Sequence, residues 1–177
     1  MGYRHDLWEL AASRHGVVTI TEAEDAGVPA VEVRKLAARG ALLGRGQGVY
    51  THREVPPTPL TEPAVAVALG GEGAFLHREA VLDLAGIGQF NPKKVRVGTC
   101  RRVRRSLPEW MDLEKRPDVT DADLTHHEGI PATTVRRALE DMKHRMPLDR
   151  WEALVDEALR RELITDQDVA SWTAVSA

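Results

Sequence analysis

Polar and basic side chains share one face of a short predicted helix near the N-terminus, over residues 30–39. The opposite face carries three apolar residues with the spacing of a buried stripe: Val33, Leu36 and Ala37. The polar face carries four side chains: Glu32, Arg34, Lys35 and Arg39. A helix fits the major groove of DNA, where arginine takes guanine through two hydrogen bonds and glutamate accepts one from cytosine. We therefore expect a recognition helix in which Arg34 and Lys35 contact bases or phosphates.

A glycine-rich stretch, residues 44–48, follows this helix and lies between two short apolar runs, residues 41–43 and 49–51. Two such runs around a turn of this composition predict a β-hairpin. Glycine permits close approach, so Arg45 and Gln47 at the tip can reach the DNA backbone or the minor groove. The hairpin is therefore predicted to act as a wing.

A second helix must hold the recognition helix in place, and the sequence predicts one beginning after Thr19. Thr19 and Glu22 have the spacing of a capping box, and Gly27 can end this helix in the left-handed conformation. Pro29 then suits the first turn of the recognition helix. Helix, tight turn, helix and hairpin is the order of a winged helix-turn-helix. A winged helix that contacts only protein, with these charges solvated, is the alternative.

A second basic segment covers residues 93–105 in a chain whose net charge is −3. Over residues 91–116, nine basic and three acidic residues give +6. Its candidate DNA-binding side chains are Lys93, Lys94, Arg96, Arg101, Arg102, Arg104 and Arg105. We favour a phosphate-binding surface here, with an acidic protein partner or a solvated face as the alternatives.

The chain is predicted to have two domains, because three prolines fall within the short segment at residues 54–60. We expect a winged helix-turn-helix over residues 1–53, a Pro-rich linker over 54–60 and a second domain over 61–177. In the second domain, alternation predicts a strand over 93–99, and helical spacing predicts helices over 76–85 and after Thr133 and Pro147. The fold class is α+β, with helices packed on a small sheet.

Catalysis finds little support in the sequence. His126, His127 and Glu128 are candidate metal ligands, but neighbouring strand residues point to opposite faces and no third ligand is placed by spacing. The sequence has no phosphate loop, no Gly-x-Ser-x-Gly and no paired-cysteine motif. We predict no enzyme activity, no cofactor and no metal, with a metal enzyme as the minor alternative.

Neither a signal peptide nor a membrane-spanning run is recognisable in the sequence. No apolar run approaches the roughly 20 residues that span a bilayer, and the first ten residues lack the apolar core of a signal peptide. We therefore expect a cytoplasmic protein without a membrane partner.

Several segments of the chain carry recognisable patterns in a fixed order. The first segment ends in the pattern Arg39-Gly40-x-Leu42 followed by Gly48-x-Tyr50. The next carries His77, Ala80 and Gly86, and the last are GIPATTVRRALEDM and WEALVDEALRREL. Together they cover about residues 4–165, and in this order they resemble the AbiEi-type antitoxins of bacterial abortive-infection (type IV) toxin–antitoxin systems.

The resemblance implies a two-domain transcriptional autoregulator that binds inverted repeats of double-stranded DNA in its own promoter. Such proteins repress an operon that also encodes a nucleotidyltransferase-like toxin, and the second domain is implicated in antitoxicity. Members of the family are described as countering the toxin without a stable complex. Two alternatives stay open for this chain: direct binding to the toxin, and a role as a stand-alone regulator. An inverted repeat calls for two copies, so we expect either a weak dimer or monomers that bind DNA side by side, with possible cooperativity.

Overall fold

The computed structural model describes residues 2–174, so Met1 and residues 175–177 of the predicted domains lie outside the described residues. The chain forms two compact units. Unit 1 runs to Glu72 and also includes Val103–Pro108, and unit 2 comprises Gly73–Arg102 and the chain from Glu109 onward. No helix within residues 2–174 is long and apolar enough to cross a membrane.

Unit 1 is a winged helix-turn-helix with one additional helix. Its elements in chain order are α1 (Tyr3–Ala12), β1 (Val17–Thr19), α2 (Ile20–Asp25), α3 (Ala30–Ala38), β2 (Leu42–Gly46), β3 (Val49–His52) and α4 (Thr61–Gly70). The strands form an antiparallel sheet in the order β1-β3-β2. The helices and the sheet enclose a core of small and branched apolar side chains: Leu7, Ala11, Val18, Ala23, Val28, Val33 and Leu42.

The predicted capping box at the start of α2 is confirmed. The Glu22 backbone N–H donates to Thr19 Oγ1 at 3.2 Å, and the Thr19 N–H donates to Glu22 Oε2 at 3.1 Å. Gly27 has a φ of 85°, as a residue just past a helix end often has. Pro29 is the N-cap of α3 rather than its first helical residue. These local signals fix the angle between α2 and α3.

The boundary between the units differs from the predicted one, because the Pro-rich segment packs on unit 1. Val55 contacts the unit 1 core, and Thr61 Oγ1 donates to the carbonyl of His15 at 3.0 Å. The helix that follows, α4, contacts β1 and β3 and so belongs to unit 1 rather than to the second domain. The prolines exclude regular structure over residues 54–60 without making this segment a free linker.

Unit 2 has helices packed with a five-stranded sheet, which confirms the α+β fold class. Its elements are β4 (Phe75–Leu76), α5 (Glu79–Leu84), β5 (Val95–Thr99), β6 (Met111–Lys115), a 3-10 turn (Asp121–Asp123), β7 (Leu124–His127), β8 (Ile130–Thr133), α6 (Val135–Met142), α7 (Leu148–Arg160) and α8 (Asp166–Ala174). The strand order is β6-β5-β4-β8-β7, with parallel and antiparallel neighbours.

The predicted helix over residues 76–85 is wrong in its first part. Leu76 lies in the central strand β4, paired with Val97 on one side and Ala132 on the other. The helix begins only at Glu79. Sheet pairing with distant residues determines this segment, and helical spacing of its apolar residues cannot reveal such partners.

Candidate nucleic-acid interface

The outward face of α3 carries both apolar and basic side chains. Val33 is fully buried in the unit 1 core, whereas Arg34, Lys35 and Arg39 are exposed, as the sequence pattern predicts. Val31, which sequence reasoning missed, is 53% exposed on the same side of the helix. The sequence signal that could have placed Val31 on this face is its position three residues before Arg34, since residues i and i+3 share a helix face.

Two cations of α3 differ in how they are engaged. Lys35 Nζ lies 2.8 Å from Glu32 Oε1, so it forms a solvent-exposed ion pair with a carboxylate one turn away. Arg34 makes no side-chain hydrogen bond or ion pair with any residue in the described range 2–174. Arg34 and Arg39 are therefore the cations of this face that have no side-chain partner within the described residues.

The hairpin predicted as a wing is present, and its two polar residues differ in surroundings. The pairing between β2 and β3 is irregular between Gly44 and Gly46, so Arg45 occupies a bulge. A bulge re-aims a side chain, and Arg45 Nη2 lies 2.5 Å from Glu62 Oε1 on α4. Gln47 is exposed in the turn between the strands.

The wing packs on both α2 and α4. The Ile20 backbone N–H, at the start of α2, donates to the Gly48 carbonyl at 2.9 Å. A Cβ added to Gly46 would lie 2.5 Å from Leu69 Cδ2 of α4. Glycine at this position therefore permits the close approach between wing and helix, and the wing is held as a fixed part of unit 1.

The second basic segment is divided between the two units. Lys93, Lys94, Arg101 and Arg102 are exposed residues of unit 2, whereas Arg104 and Arg105 are exposed residues of unit 1. Arg105 Nη1 donates to the Leu69 carbonyl of α4 at 3.4 Å.

Arg96, on strand β5, is the member of this basic set with the clearest structural role. Its Nε donates to Glu79 Oε1 at 2.7 Å, and its Nη1 pairs with Asp112 on the neighbouring strand. The hydrogen bond to Glu79 is the main reason why the pKa of Arg96 is raised. Two carboxylates thus surround a guanidinium that the sequence pattern grouped with the DNA-binding candidates.

Unit 2 contains a buried ionic network that sequence reasoning missed. Arg116 is buried and pairs with Asp118 and Asp141 at 2.8 and 2.9 Å, while its Nη1 lies 2.8 Å from His77 Nδ1. Burial, followed by the charges of Arg78 and Arg116, lowers the pKa of His77 to about 4. The histidine is therefore neutral at pH 7. No sequence signal joins residues so distant in the chain.

Arg78 extends this network to strand β6. Its two terminal nitrogens lie 2.5 and 2.8 Å from the carboxylate oxygens of Glu114, a paired arrangement that fixes both side chains. Arg78 itself has a φ of 55°, which side-chain-bearing residues seldom adopt. These contacts join the segment that follows β4 to β6, across the intervening strand β5, and we assign them to the stability of unit 2.

The histidine pair considered as a metal site lies at the end of a hairpin. His126 and His127 end strand β7, and Glu128 and Gly129 form the turn to β8 with φ values of 49° and 81°. Across the described part of the chain, no group of three or more His, Cys, Asp or Glu side chains is arranged to hold a metal ion.

Comparison with known proteins identifies the N-terminal region. Residues 5–51 match the family model described as "Transcriptional regulator, AbiEi antitoxin". This confirms the resemblance over α1 to β3, the elements that carry the exposed face of α3 and the wing. The match supports a role in regulation or antitoxicity at this coarse level.

Two further comparisons concern the chain as a whole. No curated protein matches the chain. Among solved structures, the RV2827C protein from Mycobacterium tuberculosis is similar over 79% of this chain, with 18% sequence identity and a TM-score of 0.48. This chain spans 59% of the length of that protein.

Proposed function

We propose that this protein is an antitoxin that binds double-stranded DNA and represses its own toxin–antitoxin operon. The observation that carries the proposal is the exposed face of α3, where Arg34 stands without a protein partner within residues 2–174. The match of residues 5–51 to AbiEi antitoxin regulators supports it. In this proposal the protein acts by binding and carries out no catalytic step.

Recognition proceeds from the rigid part of unit 1. The capped α2 and the core residue Val33 hold α3 so that its outward face can enter the major groove. Arg34 and Lys35 supply base or phosphate contacts, and Arg39 at the end of α3 supplies a further cation. Arg45 and Gln47 of the wing reach the backbone or the minor groove alongside.

The target follows from the antitoxin resemblance. An inverted repeat in the promoter presents two half-sites, which two monomers or a weak dimer would occupy, with possible cooperativity. The toxin of the operon is a nucleotidyltransferase-like enzyme, and repression limits its synthesis. We place the protein in the cytoplasm, where both its promoter and its toxin are found.

The test is fluorescence anisotropy with DNA from upstream of the gene against scrambled DNA, at two salt concentrations. We expect a clear preference for the upstream DNA. Arg34→Ala should lower affinity for that DNA by about 1–3 kcal/mol and affect scrambled DNA less. Arg145→Ala, which removes another exposed arginine, is the control. Equal binding of wild-type protein to both DNAs would reject the repressor.

A second candidate function is direct binding of the toxin through unit 2. The division of the basic segment favours it, because four exposed cations, Lys93, Lys94, Arg101 and Arg102, belong to unit 2 rather than to the winged unit. Co-purification of the tagged protein with the product of the neighbouring gene tests this. Loss of the complex when the four cations are replaced by glutamine would support this surface as the binding site, and retention would reject the surface. Absence of a complex with the wild-type protein would reject direct binding itself.

A further inference from the structure

We infer that Val31 reads the 5-methyl group of a thymine in the major groove, and that Arg34 reads a guanine in the neighbouring base pair. The inference rests on the proposed DNA-binding function and specifies the sequence that α3 selects. It adds a specificity-determining residue that the polar face alone does not contain.

Val31 is an exposed apolar residue on a helix whose other valine is fully buried. It is 53% exposed, whereas Val33 of the same helix and Val28 just before it are at most 1% exposed. A β-branched residue on a solvated helix face lowers helix propensity and gains little from burial. The unit 1 core therefore does not cover Val31, and its methyl groups are accessible to a partner on this face.

The position of Val31 suits a base contact. It is the second residue of α3, and the N-terminal residues of a recognition helix are those that reach base edges. Arg34 lies three residues further along the same face, about 4.5 Å along the axis. Successive base pairs are separated by about 3.4 Å. The two side chains are thus spaced for neighbouring base pairs.

The chemistry of the pair identifies the occupant. An arginine takes O6 and N7 of guanine, and an apolar side chain contacts the methyl group of thymine. Lys35 on the same face forms an exposed ion pair with Glu32 at 2.8 Å, whereas Arg34 next to Val31 has no side-chain partner within residues 2–174. A free guanidinium beside an exposed valine matches the polyanionic groove of DNA better than an apolar protein surface.

The experiment begins with selection of the preferred sequence from random DNA by the full chain. Each thymine of that sequence is then replaced by deoxyuridine, which lacks only the 5-methyl group, and affinity is measured by anisotropy. We expect one thymine whose replacement weakens wild-type binding about fourfold, the effect of one buried methyl group. At a neighbouring position, 7-deazaguanine should weaken the wild type but not Arg34→Ala.

Variants at position 31 decide the assignment. Val31→Ser should bind thymine and deoxyuridine equally at that position, whereas Val31→Thr, which keeps one methyl group and the shape, should retain the difference. Leu148→Ser changes another exposed apolar residue, 57% exposed on α7, and should leave the difference intact. Circular dichroism checks that each variant is folded.

Two results separate the failure of the inference from failure of the proposed function. If selection yields a preferred sequence but Val31→Ser keeps the thymine preference, or no thymine matters, the inference is overturned while DNA recognition stands. If selection yields no preferred sequence, both are overturned, and a protein partner becomes the occupant of this face.

Discussion

The guanidinium of Arg45 lies 2.5 Å from the carboxylate of Glu62, so the wing's cation is bound to a helix of its own unit. The arginine sits at the bulge of the hairpin, and the side chains are 25% and 51% exposed. In the proposed complex, a DNA phosphate would therefore compete with Glu62 for this arginine.

Glu62→Gln should tighten DNA binding, because the amide holds Arg45 more weakly than the carboxylate does and also removes a negative charge. Anisotropy at one salt concentration measures the affinity of each variant. Glu54→Gln, which releases Arg4 from a 2.6 Å pair, removes the same charge elsewhere in unit 1 and should tighten binding less. Equal affinities of Glu62→Gln and Glu54→Gln would contradict the competition.

Replacement of four arginines in the basic segment by glutamine should reduce the salt dependence of DNA binding. The four are Arg101, Arg102, Arg104 and Arg105. Each one that contacts a phosphate accounts for about 0.9 of the slope. The double variant Arg145→Gln, Arg150→Gln removes exposed charge outside the segment and serves as the control. A slope identical to wild type would assign the segment to a protein partner or to solvent.

Gly46→Ala should destabilise unit 1, whereas Gly44→Ala in the same strand should not. Gly46 has a φ of 147°, and its added Cβ would lie 2.5 Å from Leu69. We expect a loss of about 1–3 kcal/mol from backbone strain and displaced packing. A Cβ at Gly44 meets no atom within 4 Å. Urea denaturation compares the two variants, and equal stability would show that the wing does not depend on its packing against α4.

Acid should destabilise unit 2 through His77. The pKa of His77 in the folded state is about 4, below its ordinary value of 6.5. Between these two pH values, the unfolded chain therefore binds a proton at His77 that the folded chain does not bind. Stability therefore falls as the pH is lowered through this window, by about 2 kcal/mol between pH 7.5 and 5, and not further below about 4. Chemical denaturation across this range measures the effect.

His77→Gln should make that pH dependence shallower, which separates His77 from other groups. His52, whose pKa is also lowered by burial, still contributes to the pH dependence of stability in the variant. Hydrogen bonds from Arg116 lower the pKa of Asp118, so its contribution is lost only below its ordinary value of 3.8. An unchanged dependence between pH 5 and 7.5 in the variant would exclude His77 as the cause.

The parts of the fold that sequence analysis predicts are those determined by neighbouring residues. The Thr19–Glu22 cap, helix α3 and the hairpin each follow from contacts within a few positions. Strand β4 and the core of the ionic network do not, because Leu76 pairs with Ala132 and Arg116 contacts His77. The same limit applies to the candidate site. The exposure of Arg34 follows from helix periodicity, but the contact from Arg45 to Glu62 requires α4 to fold back on the wing.

Neither unit is a single continuous stretch of chain, and this restricts how the protein can be divided or recombined. The backbone passes between the units three times, after Glu72, after Arg102 and after Pro108. A fragment ending at residue 51, where the family match stops, would lack α4 and Val103–Pro108. One proteolytic cut after Glu72 would leave Val103–Pro108 in place within unit 1 as a non-covalent tether. Exchange of one unit for that of a relative therefore requires three coordinated junctions.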